Sequence, residues 1–223
     1  MKICFILTLE ALLYGALLFG AAGTVHWPAG WAYFVLFFAG AIALTVMLAR
    51  RDPALLAERI RPPLQKNQPL WDKIFLIAFL VAVCGWTALM PLDAVRFHWS
   101  HMPAWLPYSG AALMVLSFLM MGRVFLENTF LAGTVKIQEE RGHNVISTGP
   151  YAVVRHPLYA AALLYLPATA MLLGSWYGLA ASSILAGGLV FRTAMEEREL
   201  RRGLPGYTEY AARVPYRLIP RVW

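Results

Sequence analysis

A chain of 223 residues with 60% hydrophobic and 14% charged side chains is not built like a water-soluble domain, where about a quarter of residues carry charge. It has the composition of an integral membrane protein, so its net charge of +7 is first a matter of which loops hold the basic residues, and nucleic-acid binding is not needed to explain it. Cys4 and Cys84 both lie in apolar runs without metal-ligand spacing, which excludes a disulfide framework and a metal site from the expectation.

The first apolar run, Ile3 to Gly23, exceeds the apolar region of a signal peptide and contains Glu10, so a retained helix is expected. A link with His26 and Pro28 leads to a second span, Trp31 to Ala49. Residues Arg50 to Lys73 are polar and hold six basic side chains. Within them Asp52 is placed as an N-cap, Pro53 at the first helical position, and Leu55, Leu56 and Ile60 on one face. A short interfacial helix near 52–61, stopped by Pro62-Pro63, is expected. A third span covers Ile74 to Leu92 and a fourth Trp105 to Phe125.

Between Glu127 and Val154 the chain is polar again. Thr134 to Gln138 alternates, Arg141-Gly142-His143 has turn chemistry and Asn144-Val145-Ile146 follows, a pattern that predicts a small β-hairpin on the membrane surface. The fifth span, Leu158 to Leu173, and the sixth, Trp176 to Thr193, are joined only by Gly174-Ser175 and must form a tight hairpin. The expected fold class is therefore an all-α integral membrane protein of about six transmembrane helices. Residues 1–125 would form a four-helix region and 126–223 a catalytic region made of the surface loop, the hairpin 158–193 and the tail. The loops on the side of the two termini carry the basic residues except Arg96, which sets both ends in the cytoplasm.

Antiparallel packing of the last two spans puts Arg155, His156 and Tyr159 opposite Arg192, Glu196 and Glu197. The first group opens a helix, where free N–H groups and the dipole favour an anion. Arg192, Glu196 and Glu199 share a helical face. The tail adds Tyr207 and Tyr210, three apart and beside a Pro-Gly turn. Rings, carboxylates and arginines together match the needs of S-adenosyl-L-methionine: an anion site for its carboxylate, an acidic partner for its ammonium or ribose, and an electron-rich surface for its sulfonium. Each group also has an ordinary reading. Arg155 marks the edge of a span, the glutamates pair with Arg192, Arg201 and Arg202, and tyrosines collect at headgroup level. Glu10 is either a protonated or paired structural group or part of an acceptor cavity.

The block Gly149-Pro150-Tyr151-x3-Arg155-His156-Pro157-x-Tyr159, Glu196-Glu197 after the last span, and Gly203-x2-Gly206-Tyr207-x2-Tyr210 followed by Val214-Pro215-x-Arg217-x-Ile219-Pro220 resemble the isoprenylcysteine carboxyl methyltransferase and phospholipid methyltransferase superfamily. The resemblance covers 128–223, including Asn128. The run Asp52-Pro53-x-Leu55-Leu56-x-Glu58-Arg59 is similar to bacterial members. The resemblance implies a cofactor cradle made by the last hairpin and the tail, and a lipophilic acceptor entering from the bilayer in a bacterial inner membrane. It carries Gly149, Pro150, Tyr151, His156, Tyr159, Glu196, Glu197, Tyr207 and Tyr210 to the cofactor side. Arg155, Arg192 and Glu196 are the candidates for chemistry, with either arginine orienting an anionic acceptor or the cofactor carboxylate. Two rivals stay open: an NADPH-dependent reductase related to sterol reductases, whose phosphates the tail arginines would meet, and a non-catalytic scaffold.

Overall fold

The computed structural model describes residues 2–65 and 68–223, the side chains of 2–4 excepted. Lys66 and the side chain of Cys4 fall outside the described residues. The chain runs through α1 (Lys2–Ala22), α2 (Pro28–Arg51), α3 (Pro53–Arg59), α4 (Leu70–Pro91), a π-helical turn Leu92–Arg96, α5 (Leu106–Glu127), α6 (Pro157–Leu173), α7 (Trp176–Gly203) and α8 (Tyr207–Arg213). Short 3-10 turns occupy Glu139–Arg141 and Gly149–Ala152. Among the described residues, five helical segments are long and apolar enough to cross a bilayer. The sixth apolar helix, α6, has 17 residues, at the short end of what spans hydrocarbon. Glu10 is exposed on α1.

Local signals set α3 as expected. Asp52 accepts from the Leu55 N–H at 2.9 Å, Pro53 stands in the first turn, and Leu55 and Leu56 are buried. The expected hairpin is not there: no strand occurs among the described residues. The polar groups that would make its ladder are taken by side chains. The Val135 N–H donates to Asp72, and the Gln138 N–H to His143 Nδ1. The fully buried Gln138 donates its amide to the Phe130 carbonyl and accepts from Arg141. The turn chemistry of 141–143 does hold, with Gly142 at φ 64°.

The residues cluster into two compact units. The first comprises 1–42, 80–116 and 164–186. It is joined by hydroxyls, Tyr14 to Tyr33 at 2.5 Å and Tyr33 to Tyr165 at 2.9 Å, and by the fully buried Asp93, which accepts from Ser100, Ser175 and the Tyr177 N–H. Such internal partners are what polar groups on apolar helices require. Gly110 lets α5 meet the backbone at Ala168 and Leu172, where a Cβ would collide. The second unit comprises 43–79, 117–163 and 187–223 and holds every motif of the candidate site. Its core groups Val124, Tyr151, Leu204, Tyr207, Tyr210, Ala211 and Val214.

Candidate functional site

The second unit brings the start of α6 beside the end of α7 and folds the tail against both. The Tyr159 hydroxyl donates to Glu196 at 2.6 Å. Arg155 lies 3.0 Å from Glu197, with both side chains almost fully buried, and its Nη1 donates to the Val214 carbonyl at 2.6 Å. Arg201 and Arg217 also bind Glu197. The backbone N–H groups of Arg155 and His156 donate to the carbonyls of Tyr216 and Arg217, each at 2.9 Å. Donors expected to attract an anion just before α6 therefore bind the tail instead. Glu197 is the hub that ties α6, α7 and the chain's last segment together.

Above this hub lies a cleft with about 890 Å³ of free space, its open mouth included. Tyr151, Arg155, His156, Tyr159, Arg192, Glu196, Tyr207 and Tyr210 all line it, as does Glu199. Three residues expected at the cofactor are not in its wall. Gly149 and Pro150 form the 3-10 turn that carries Tyr151 inward. Gly149 has φ 54°, in the left-handed region that favours glycine, and a Cβ there would push the Glu127 carboxylate aside, 2.6 Å away. Glu197 faces its arginines. Tyr207 and Tyr210 have a double role, since they line the cleft and pack the core with ring centroids 5.7 Å apart. Tyr210 also donates to the Tyr151 carbonyl at 2.8 Å.

Burial decides the protonation of the groups outside the spans. It raises the Tyr151 and Tyr207 phenols well above their ordinary range, with Glu196 and Glu197 adding to the effect at Tyr207. Tyr210 is pushed up to about 12, chiefly by burial. All three are uncharged at neutral pH, Tyr151 accepting from Asn128 and Tyr210 donating to the Tyr151 carbonyl. His156 is lowered, first by burial and against the pull of Glu196 and Glu197, so it is an uncharged imidazole, 3.4 Å from the Tyr207 hydroxyl. Arg192 shares with Arg155 a buried Nε that lacks a hydrogen-bond partner among the described residues but has different partners at its Nη atoms. Its Nη2 meets Asp72 at 3.1 Å and the Gly133 carbonyl at 2.9 Å.

The other wall was not legible in the sequence. Phe130, Leu131, Ala132 and Thr134 to Ile137 close the cleft along one side. This segment is tethered at each step: the Leu131 carbonyl to Arg59, the Gly133 carbonyl to Arg192, the Val135 N–H to Asp72, and Lys136 to Glu58. Asp72 was hidden because a lone aspartate in a helix's first turn reads as an ordinary dipole partner. Glu58 and Arg59 stood in the recognised run of α3, without an indication of what they hold.

Residues 110–202 match the model of the isoprenylcysteine carboxyl methyltransferase (ICMT) family. The chain is also similar to protein-S-isoprenylcysteine O-methyltransferase B of Arabidopsis thaliana, with 25% identity over 150 residues, covering 66% of this chain and 74% of that protein. Both comparisons support the resemblance to the isoprenylcysteine carboxyl methyltransferase superfamily that the motifs implied.

Proposed function

We propose that the chain is an integral membrane methyltransferase that uses S-adenosyl-L-methionine and acts on a lipophilic or small membrane-permeant acceptor entering from the bilayer. One observation carries this reading: residues of three separate motifs, from the start of α6, the end of α7 and the tail, converge on a single cleft. The residues present fit the cofactor. Glu196 and Glu199 offer carboxylates to an ammonium or to ribose hydroxyls, the tyrosines offer ring surface, and the buried Nε atoms of Arg155 and Arg192 are donors without partners among the described residues.

When bound, S-adenosyl-L-methionine supplies a methyl group activated by its sulfonium. The chain's own residues hold the reactants in line and keep water out. Arg155 is a staple for the tail, its Nη atoms being occupied by Val214 and Glu197. Arg192 is therefore assigned the acceptor. The neutral His156 can take the proton of a thiol or amine acceptor, whereas a carboxylate, as in the isoprenylcysteine of the Arabidopsis protein's name, needs no base. The placement of the basic loops favours a cytoplasm-facing cleft, and the likeness of the Asp52-Pro53 run to bacterial members favours a bacterial inner membrane.

Thermal unfolding of the detergent-purified protein tests the reading. S-adenosyl-L-methionine and S-adenosylhomocysteine should both raise the transition, since a ligand that binds only the folded state stabilises it. Absence of any response at saturating concentration refutes the methyltransferase. A response to NADPH alone would establish the reductase instead.

A further inference from the structure

The tail ends in a turn that lines no part of the cleft. Residues 214–223 hold two arginines and no acidic side chain. The Val222 N–H donates to the Ile219 carbonyl at 3.1 Å, which closes a turn with Pro220 and Arg221 at its corner. Arg221 has φ 65°, a conformation that glycine takes freely and other residues seldom adopt. An exposed arginine is nevertheless kept there, between Ile219, 47% exposed, and Val222, 74% exposed. Val153, shortly before α6, is 55% exposed, and Arg213, at the end of α8, is exposed as well. The tail's one carboxylate after residue 203, Glu209, stands in the first turn of α8.

The depth of this turn follows from α6. Its 17 residues make a helix about 25 Å long, shorter than the roughly 30 Å of hydrocarbon, so as a span it starts at the hydrocarbon edge. The Arg155 and His156 N–H groups just before it donate to the Tyr216 and Arg217 carbonyls at 2.9 Å each. Residues 216–217 therefore run along that edge, and a turn that begins two residues later reaches headgroup level. Apolar side chains flanking an arginine at that depth suit a layer of phosphates above hydrocarbon. Because the segment carries no carboxylate to balance its arginines, net-anionic headgroups complement it better than zwitterionic ones. We infer that the Ile219–Val222 turn is a membrane-docking element. Ile219 and Val222 enter the interface, Arg221 and Arg213 meet anionic phospholipid headgroups, and this binding holds the strap 214–217 closed on the start of α6. The inference needs the membrane placement of α6 and not the methyltransferase reading.

The test uses the full chain in nanodiscs of phosphatidylcholine, with and without phosphatidylglycerol. Hydrogen exchange at the Arg155 and His156 N–H groups reports opening of the strap directly. It should be about fivefold slower with phosphatidylglycerol for each arginine that meets the anionic surface, and high salt should shrink the difference. Arg221→Glu should remove most of it. Arg221→Gly, which suits the turn's backbone, should also remove it while stability in detergent is kept, and decides the matter if the charge reversal disturbs the fold. A bimane label at Val222→Cys, with Cys4 and Cys84 replaced by alanine, should be quenched by brominated phospholipid. Equal exchange in the two lipid mixtures overturns the proposal. So does a difference that survives both Arg221 variants, or a label that is quenched from water and not from lipid.

Discussion

Glu197→Ala should loosen the tail from the membrane hairpin. The carboxylate is 3% exposed and is shared by Arg155, 4% exposed, Arg217, 33% exposed, and Arg201, 41% exposed. Those exposures rank the three contacts. Arg201 reaches solvent, so its pair is worth at most about 1 kcal/mol. Arg217 is partly hydrated and also stacks on Trp223, so it recovers much of what it loses. Arg155 cannot reach water, and removing its partner leaves a guanidinium held only by the Val214 carbonyl. Breaking a buried pair in this way costs about 3–5 kcal/mol. For a chain of this size each kcal/mol lowers the melting temperature by about 2–4 °C, giving a drop on the order of 10 °C. Thermal unfolding in micelles, followed by limited proteolysis at Arg213 and Arg217, would register both the loss and its location. The double variant Arg155→Met with Glu197→Leu should be milder than Glu197→Ala, because an apolar pair replaces an unpaired charge. A melting temperature for Glu197→Ala within about 2 °C of wild type would refute the buried hub.

Three further outcomes follow from single contacts. Tyr210→Phe removes the hydroxyl that serves the buried Tyr151 carbonyl and should cost about 1 kcal/mol in denaturant titration, with cleft shape retained. Asp93→Ala strips acceptors from Ser100, Ser175 and the Tyr177 N–H in the first unit and should lower stability by about 2–5 kcal/mol, while Ser100→Ala costs about 1 kcal/mol. Because the folded His156 binds a proton more weakly than the unfolded one, its contribution is fully present above a pH of about 6.5 and is lost as pH falls from there toward the folded value. Melting curves between pH 5 and 7.5 should show this slope. His156→Gln should flatten it, with His143→Gln as the control, since burial lowers that histidine too.

What could be read from the sequence was whatever local chemistry decides. Asp52-Pro53 specified a helix start because capping acts over three residues, and the apolar runs specified helices because nothing else satisfies the backbone in hydrocarbon. The facing of Arg155 and Tyr159 to Glu197 and Glu196 was legible because a two-residue turn leaves the chain no other return. Segment 134–146 misled for the opposite reason. Its alternation has the period of a strand, but Asp72, far along the chain, claims the Val135 N–H and His143 the Gln138 N–H. Period-two patterning reports which face is buried, and Ile137, Val145 and Ile146 do pack against the core of the second unit, without a strand ladder. Glu197 was likewise expected at a cofactor because its role as a hub depends on Arg217, twenty residues further on, folding back.

The connection of α3 and α4 to the cleft changes what the front half of the chain is for. Glu58, Arg59 and Asp72 carry three of the tethers of segment 131–136, and none of the three lines the cleft. Sequence differences in α3 or α4 would therefore alter the wall from behind, without touching the side proposed for the cofactor, which His156, Tyr207 and Tyr210 line. Such an arrangement separates two demands on one site. On the proposed function, the residues of 149–159 and 196–210 would serve the cofactor, while the opposite wall would be tuned for the acceptor through its anchors. Arg59→Met tests the separation. It releases the Leu131 carbonyl and the stacking on Phe125, and should weaken acceptor binding several-fold, the worth of one charge-assisted hydrogen bond, while affinity for S-adenosylhomocysteine stays unchanged. An equal loss on both sides would mean that the cleft responds as one rigid body and that the front half serves both ligands alike.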